Sequence, residues 1–182
     1  MGMKNLLVIV DDMQYDFLHG ELKTDDALAV VPNIISKVEK CKEIGDYEVA
    51  IIKFEHNFNF DTVDDAKSPL MDCNDNGHSM SWEVKPKVFE LFENPTCIHE
   101  RDKPSSVFLL DYLETHTFDR IELVGVCTDT SVFANATVLK TFHPDTQIVV
   151  DASCCVGSTT DKHKSTLSSM RALQIEIINE EK

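Results

Sequence analysis

The 182-residue chain carries a formal net charge of -15, a pI near 4.7, 42% hydrophobic and 27% charged residues. That balance excludes a disordered chain, and the sign of the charge argues against nucleic-acid backbones and anionic membranes as partners. With no run near the ~20 apolar residues of a membrane span and no basic-then-apolar leader, the expectation is one cytoplasmic domain over residues 1–182.

Apolar runs alternate with helix-period segments along the chain. Residues 6–10 read as a buried strand, and residues 28–41 as an amphipathic helix with Pro32 near its start. Residues 49–54 are a second strand, followed by a polar, aspartate-rich excursion over 55–83 and a short helix within 84–92. A short strand at 96–99 precedes a helix near 107–115, a strand at 121–124 and a helix at 133–141. A strand at 147–150, a helix over about 161–172 and a strand at 175–178 complete the series. Near-continuous apolar strands separated by helices predict an α/β fold, a doubly wound and mainly parallel sheet with helices on both faces.

Ligands in such folds sit beyond the carboxyl ends of the strands. Asp12, Phe54 to His56, residues 100–103, residues 125–131 and Asp151-Ala152 are all expected at or just after such ends. A carboxylate there, as at Asp12, suits a general base, and an ammonium such as Lys103 suits a developing negative charge. The turn from Gly125 to Ser131 opens a helix, so its free backbone N–H groups suit an oxyanion, with Cys127 and Ser131 in the turn. The six cysteines (Cys41, Cys73, Cys97, Cys127, Cys154, Cys155) form no C-x-x-C pair and read as free thiols, with the vicinal pair as small residues at a strand end.

Together, Val10-Asp11-Asp12-Met13-Gln14-Tyr15-Asp16-Phe17, residues 103–108, Gly125-Val126-Cys127-Thr128-Asp129-Thr130-Ser131-Val132, and Asp151-Ala152 with His163 resemble the isochorismatase-like cysteine hydrolases, which include nicotinamidases. The likeness spans nearly the whole chain. It implies an isochorismatase-like fold and an Asp-Lys-Cys site cleaving a C–N (amide) bond of a small molecule, with no cofactor. Asp12 then stands as the base, Lys103 as the lysine and Ser131 at the nucleophile position. The resemblance also implies a cis peptide before Cys127 and a homo-oligomer, dimer or tetramer.

Three departures matter. Ser131 replaces the cysteine, and a hydroxyl is a far weaker acid than a thiol, with no histidine in sequence placed to activate it. Three alternatives stay open: an exchanged nucleophile in an active hydrolase, a non-catalytic small-molecule binder, or a working serine. An isochorismatase acting on a vinyl ether, with Lys103 and Arg101 facing an anionic substrate, is a further reading. Second, the Asp-x-His pair of metal-binding nicotinamidases is broken, with Phe54 in place of the aspartate before Glu55-His56, and His78 is poorly spaced. No bound metal is expected. Third, the interval from Lys103 to Phe108 is one residue shorter than the family's usual spacing. Phe17, Phe54, His56 and Trp82, with Phe58 and Phe60, are candidates for lining a pocket for a flat ring or acyl group.

Overall fold

The computed structural model describes residues 6–20, 23–24, 26–44, 47–54, 97–101 and 104–180. Its elements are β1 (Leu6–Asp11), α1 (Tyr15–Leu18), a 3-10 turn (Ala27–Val30), α2 (Val31–Ile44), β2 (Tyr47–Phe54), β3 (Cys97–Arg101), α3 (Val107–Leu113) and β4 (Arg120–Val126). A π-type turn (Thr128–Val132), α4 (Phe133–Phe142), β5 (Gln147–Val156), α5 (Thr160–Ala172) and β6 (Glu176–Ile178) follow.

All six strands join one sheet in the order β3-β2-β1-β4-β5-β6, and every neighbouring pair is parallel. From β1 the chain steps outward to β2 and β3; from β4 it steps outward the other way to β5 and β6. The order therefore reverses between β1 and β4, and in such folds ligands bind beyond the carboxyl ends of the strands at that switch point.

Alternation along β1 sorts its side chains between two cores. Leu6, Val8 and Val10 pack with Val31, Ile34, Val38 and Cys41 of the 14-residue α2. Leu7 and Ile9 pack on the opposite face with Leu109 of α3, Ala136 and Leu139 of α4, and Leu167 and Met170 of α5. The strands read as continuous apolar runs because both faces are covered. The doubly wound α/β expectation is met.

Several boundaries move. The helix expected from residue 28 opens as the 3-10 turn and becomes α-helical at Val31. The strand expected over 147–150 continues to Val156, so Asp151 and Ala152 lie inside β5 rather than at its end. The reason is tertiary: Asp151 is only 2% exposed, and its carboxylate accepts from Ser153 N at 3.2 Å, Ser153 Oγ at 2.7 Å and Asn179 Nδ2 at 3.0 Å. Lys37 Nζ reaches it from α2 at 2.7 Å and pairs with Glu122 of β4 as well, while Arg120 Nε holds Glu122 at 2.5 Å. A cavity of about 290 Å³ beside this cluster is lined by Lys37, Cys41, Glu122, Asp151, Ser153 and Cys154, among others.

Candidate functional site

The end of β1 turns sharply. Asp12 takes a left-handed backbone conformation (φ 51°), a region that aspartate tolerates better than most residues. Its N–H still donates to Ile52 of β2 at 2.9 Å, and its carbonyl accepts from Gln14 N at 2.7 Å. Asp11, Asp12 and Gln14 are all buried here.

β4 ends alongside. Asp11 and Gly125 are register partners, and a Cβ on Gly125 would stand 2.0 Å from the Asp11 carbonyl oxygen. Gly125 also has φ 129°, so the close approach and the backbone both require glycine. The Val126-Cys127 peptide that follows is cis, as the resemblance implies. The π-type turn then closes on the Cys127 carbonyl, which accepts from Thr130 N at 3.2 Å and Val132 N at 3.3 Å.

Ser131 sits in this turn, 1% exposed, immediately before α4. Its hydroxyl donates to the Val126 carbonyl at 3.1 Å. Burial pushes the nearby Cys127 thiol up to about 12, and the charges of Asp129, Asp12 and Asp11 add to that rise against a smaller opposing effect of Thr130. Those couplings place the acids at the end of β1 within electrostatic reach of the β4 turn. They also leave Cys127 protonated at neutral pH, which suits a structural rather than a nucleophilic thiol.

The rest of the turn is braced from α5. Thr128 Oγ1 and His163 Nδ1 share a hydrogen bond of 2.8 Å, which ties α5 to the turn. Burial lowers the His163 pKa, outweighing the opposing charges of Glu180 and Asp129. Asp129 accepts from Ser158 N and Ser158 Oγ, both at 2.7 Å. Burial raises the Asp129 carboxyl, but these bonds outweigh it and hold the group below its ordinary value. A Cβ on Gly157 would meet Asp129 Oδ1 and His163 N, each at 2.9 Å, so this contact also demands glycine.

Asn135, one turn beyond Ser131, belongs to no motif of the sequence. It is 1% exposed, donates from Nδ2 to Asp11 Oδ2 at 2.8 Å and accepts at Oδ1 from Ser106 N at 2.9 Å. The only sequence signal is a polar amide among the apolar residues that open α4.

The structure thus places Asp12 just after β1, and Cys127 and Ser131 in the turn that follows the neighbouring β4. Lys103, His56 and Trp82 lie outside the described residues, as do Glu55, Phe58, Phe60, His78 and the expected short helix within 84–92. Phe54 ends β2, and nothing further is described of its side chain. Phe17 is partly buried and packs against the α2-side core. Among the described residues no group of three or more His, Cys, Asp or Glu forms a metal site, and Cys41, Cys127, Cys154 and Cys155 are free thiols. No helix among them is long and apolar enough to cross a membrane.

The isochorismatase domain matches residues 5–182. The chain belongs to that family. Among solved structures it is similar to an isochorismatase-like hydrolase from Alkaliphilus metalliredigens, with a TM-score of 0.79 and 19% identity over 95% of this chain and 93% of that one. A nicotinamidase/pyrazinamidase from Bacillus subtilis gives 0.79 at 20% identity, over 97% and 100% of the two chains. An N-carbamoylsarcosine amidase from Thermoplasma acidophilum gives 0.73 at 20% identity, over 96% and 95%. At these identities the likeness establishes the fold. No curated protein sequence gives a significant match. The family and these neighbours are hydrolases, and the neighbours include amidases.

Proposed function

We propose that this isochorismatase-family protein is built around a site for cleaving a C–N (amide) bond of a small molecule, with Asp12, Lys103 and position 131 as the catalytic set. The observation that carries the proposal is the convergence of the β1 and β4 ends at the switch point of the sheet, with buried Asp12 on one and Ser131 on the other. In the proposed chemistry the Asp12 carboxylate takes the proton of the nucleophile at position 131. The nucleophile attacks the amide carbonyl, the C–N bond breaks with the nitrogen leaving protonated, and water then hydrolyses the acyl intermediate. Lys103 steadies the carboxylate, and backbone N–H groups of the turn from Cys127 to Ser131 receive the oxyanion. Phe17, Phe54, His56 and Trp82 are proposed to line the substrate pocket, with no metal ligand among them.

Ser131 sets the level of activity. Its hydroxyl is committed to the Val126 carbonyl, and a hydroxyl needs a stronger, aligned base than a thiol does. Weak or absent hydrolysis is therefore proposed for the chain as it stands. The same bond favours a second reading, a non-catalytic small-molecule binder on this scaffold. A vinyl-ether substrate is the remaining alternative, because that chemistry does not need the cysteine. One domain over residues 1–182, a cytoplasmic location and a dimer or tetramer complete the proposal. Exposed Val107, Phe108 and Phe142 are apolar surface consistent with self-association.

The test is ammonia release from nicotinamide, pyrazinamide and simple aliphatic amides by the chain as it stands and by Ser131→Cys. Turnover in the cysteine variant alone supports an amidase site whose nucleophile has been exchanged. Silence from both variants shifts the reading to a vinyl-ether substrate, an amide outside this panel or a pocket that only binds.

A further inference from the structure

Three chain segments carry the proposed catalytic set, and one side chain, on the third, hydrogen-bonds to the other two. Asp11 adjoins Asp12 at the end of β1, Ser106 lies three residues after Lys103 at the start of α3, and Asn135 lies four residues after Ser131. Residues four apart share a helix face, so Asn135 follows Ser131 on the side that meets β1 and α3.

We propose that Asn135 is a positioning residue, an amide clamp that sets the Asp12 and Lys103 segments in register with the turn bearing Ser131. The proposal rests on the hydrolase reading above. The orientation of the amide follows from its partners. The Ser106 N–H only donates, so Oδ1 must face it, which leaves Nδ2 to donate to Asp11 Oδ2. These contacts join residues 29 and 124 positions apart, and all three partners are buried. A buried amide satisfied at both ends fixes two chain segments relative to its own helix, because breaking either bond leaves a polar group without water. No apolar residue of similar size makes either bond. An aspartate keeps the Ser106 bond but sets two carboxylates against each other.

That last point supplies a rescue. In the double variant Asp11→Asn, Asn135→Asp, the Ser106 N–H still meets an acceptor at position 135. The amide now at position 11 donates where it previously accepted, so both bonds return with their polarity exchanged.

Two measurements test the clamp. Hydrogen exchange on the chain with Ser131 in place should show faster exchange, by about tenfold, in both residues 11–14 and 104–107 for Asn135→Leu. The double variant should restore protection in both. In the Ser131→Cys background, Asn135→Leu should lower kcat for an amide by about 100-fold while KM moves by no more than about threefold, and the exchange of polarity should recover most of kcat. Loosening confined to α4, or a double variant no better than Asn135→Leu, overturns the clamp. So does an unchanged kcat. If Ser131→Cys cleaves no amide, the amidase reading fails and takes this catalytic role of Asn135 with it, whereas hydrogen exchange still decides whether the clamp holds the two segments.

Discussion

Replacing Lys37 by methionine tests the ion cluster that lets β5 run past Asp151. The side chains involved are nearly out of water: Lys37 is 15% exposed, Glu122 8% and Asp151 3%. Removing one partner of a buried pair costs ~3–5 kcal/mol. Here each carboxylate keeps other donors, Arg120 on Glu122 and Ser153 with Asn179 on Asp151, and methionine replaces the packing of the lysine stem. Two charge-assisted bonds at ~1.5–3 kcal/mol each are lost, so a destabilisation of about 3 kcal/mol at neutral pH is expected. The pH dependence follows from the shifts. Burial raises the Asp151 carboxyl, but hydrogen bonds from Lys37 and Ser153 outweigh it and hold the group below its ordinary value. Burial lowers the Lys37 pKa, but its bonds to Asp151 and Glu122 outweigh that and raise it. A depressed carboxyl stabilises above its unfolded value, roughly 4, and this stability is lost as pH falls through the folded value. A raised lysine stabilises below its unfolded value, roughly 10.4, and this is lost as pH rises through the folded value. The gap between Lys37→Met and the unaltered chain should therefore be flat from about pH 8 to about pH 5 and narrow below about pH 4. Urea unfolding followed by far-UV circular dichroism measures it. A gap under about 1 kcal/mol at neutral pH, or one that does not narrow in acid, would refute the reasoning.

Gly125→Ala should cost at least about 3 kcal/mol by chemical denaturation, since the new methyl meets the Asp11 carbonyl at 2.0 Å and φ is unfavourable. Leu139→Ala, at a fully buried site between α4 and the sheet, should cost ~2–5 kcal/mol in the same assay. Cys127 should resist alkylation: with its thiol near 12, the thiolate fraction at neutral pH is more than a thousandfold below that of a free thiol near 8.5. Peptide-resolved mass spectrometry after iodoacetamide treatment checks this, and rapid modification of Cys127 in the folded chain would contradict it.

Strands buried on both faces announce themselves: β1, the middle of β2 and the second half of β4 are apolar almost throughout. The second half of β5 does not, because Asp151, Ser153 and two cysteines interrupt the apolar run. What makes Asp151 acceptable in a strand is Lys37, more than a hundred residues earlier and brought near only by the packing of α2 on the sheet. Four-residue elements such as α1 and the 3-10 turn are too short to carry a period. At the candidate site, the strand-end positions of Asp12 and Ser131 are legible because motif and strand end coincide. Asn135 was not, because its partners become neighbours only through the sheet order that sets β1 beside β4.

The charge around the π-type turn bears on the puzzle of Ser131. Asp11, Asp12 and Asp129 all oppose ionisation of the thiol at Cys127. A thiol at position 131 would share that acidic neighbourhood and would need the helix end and a cation, assigned to Lys103, to become a thiolate. A serine hydroxyl stays neutral at any ordinary pH, so repulsion from these acids does not act on it in the same way. With serine in place, the turn keeps its hydrogen bond to Val126 and, on the proposed reading, lacks an ionised nucleophile. On that reading the groups present serve binding better than cleavage, so placing a thiol at position 131 is the perturbation that separates the two.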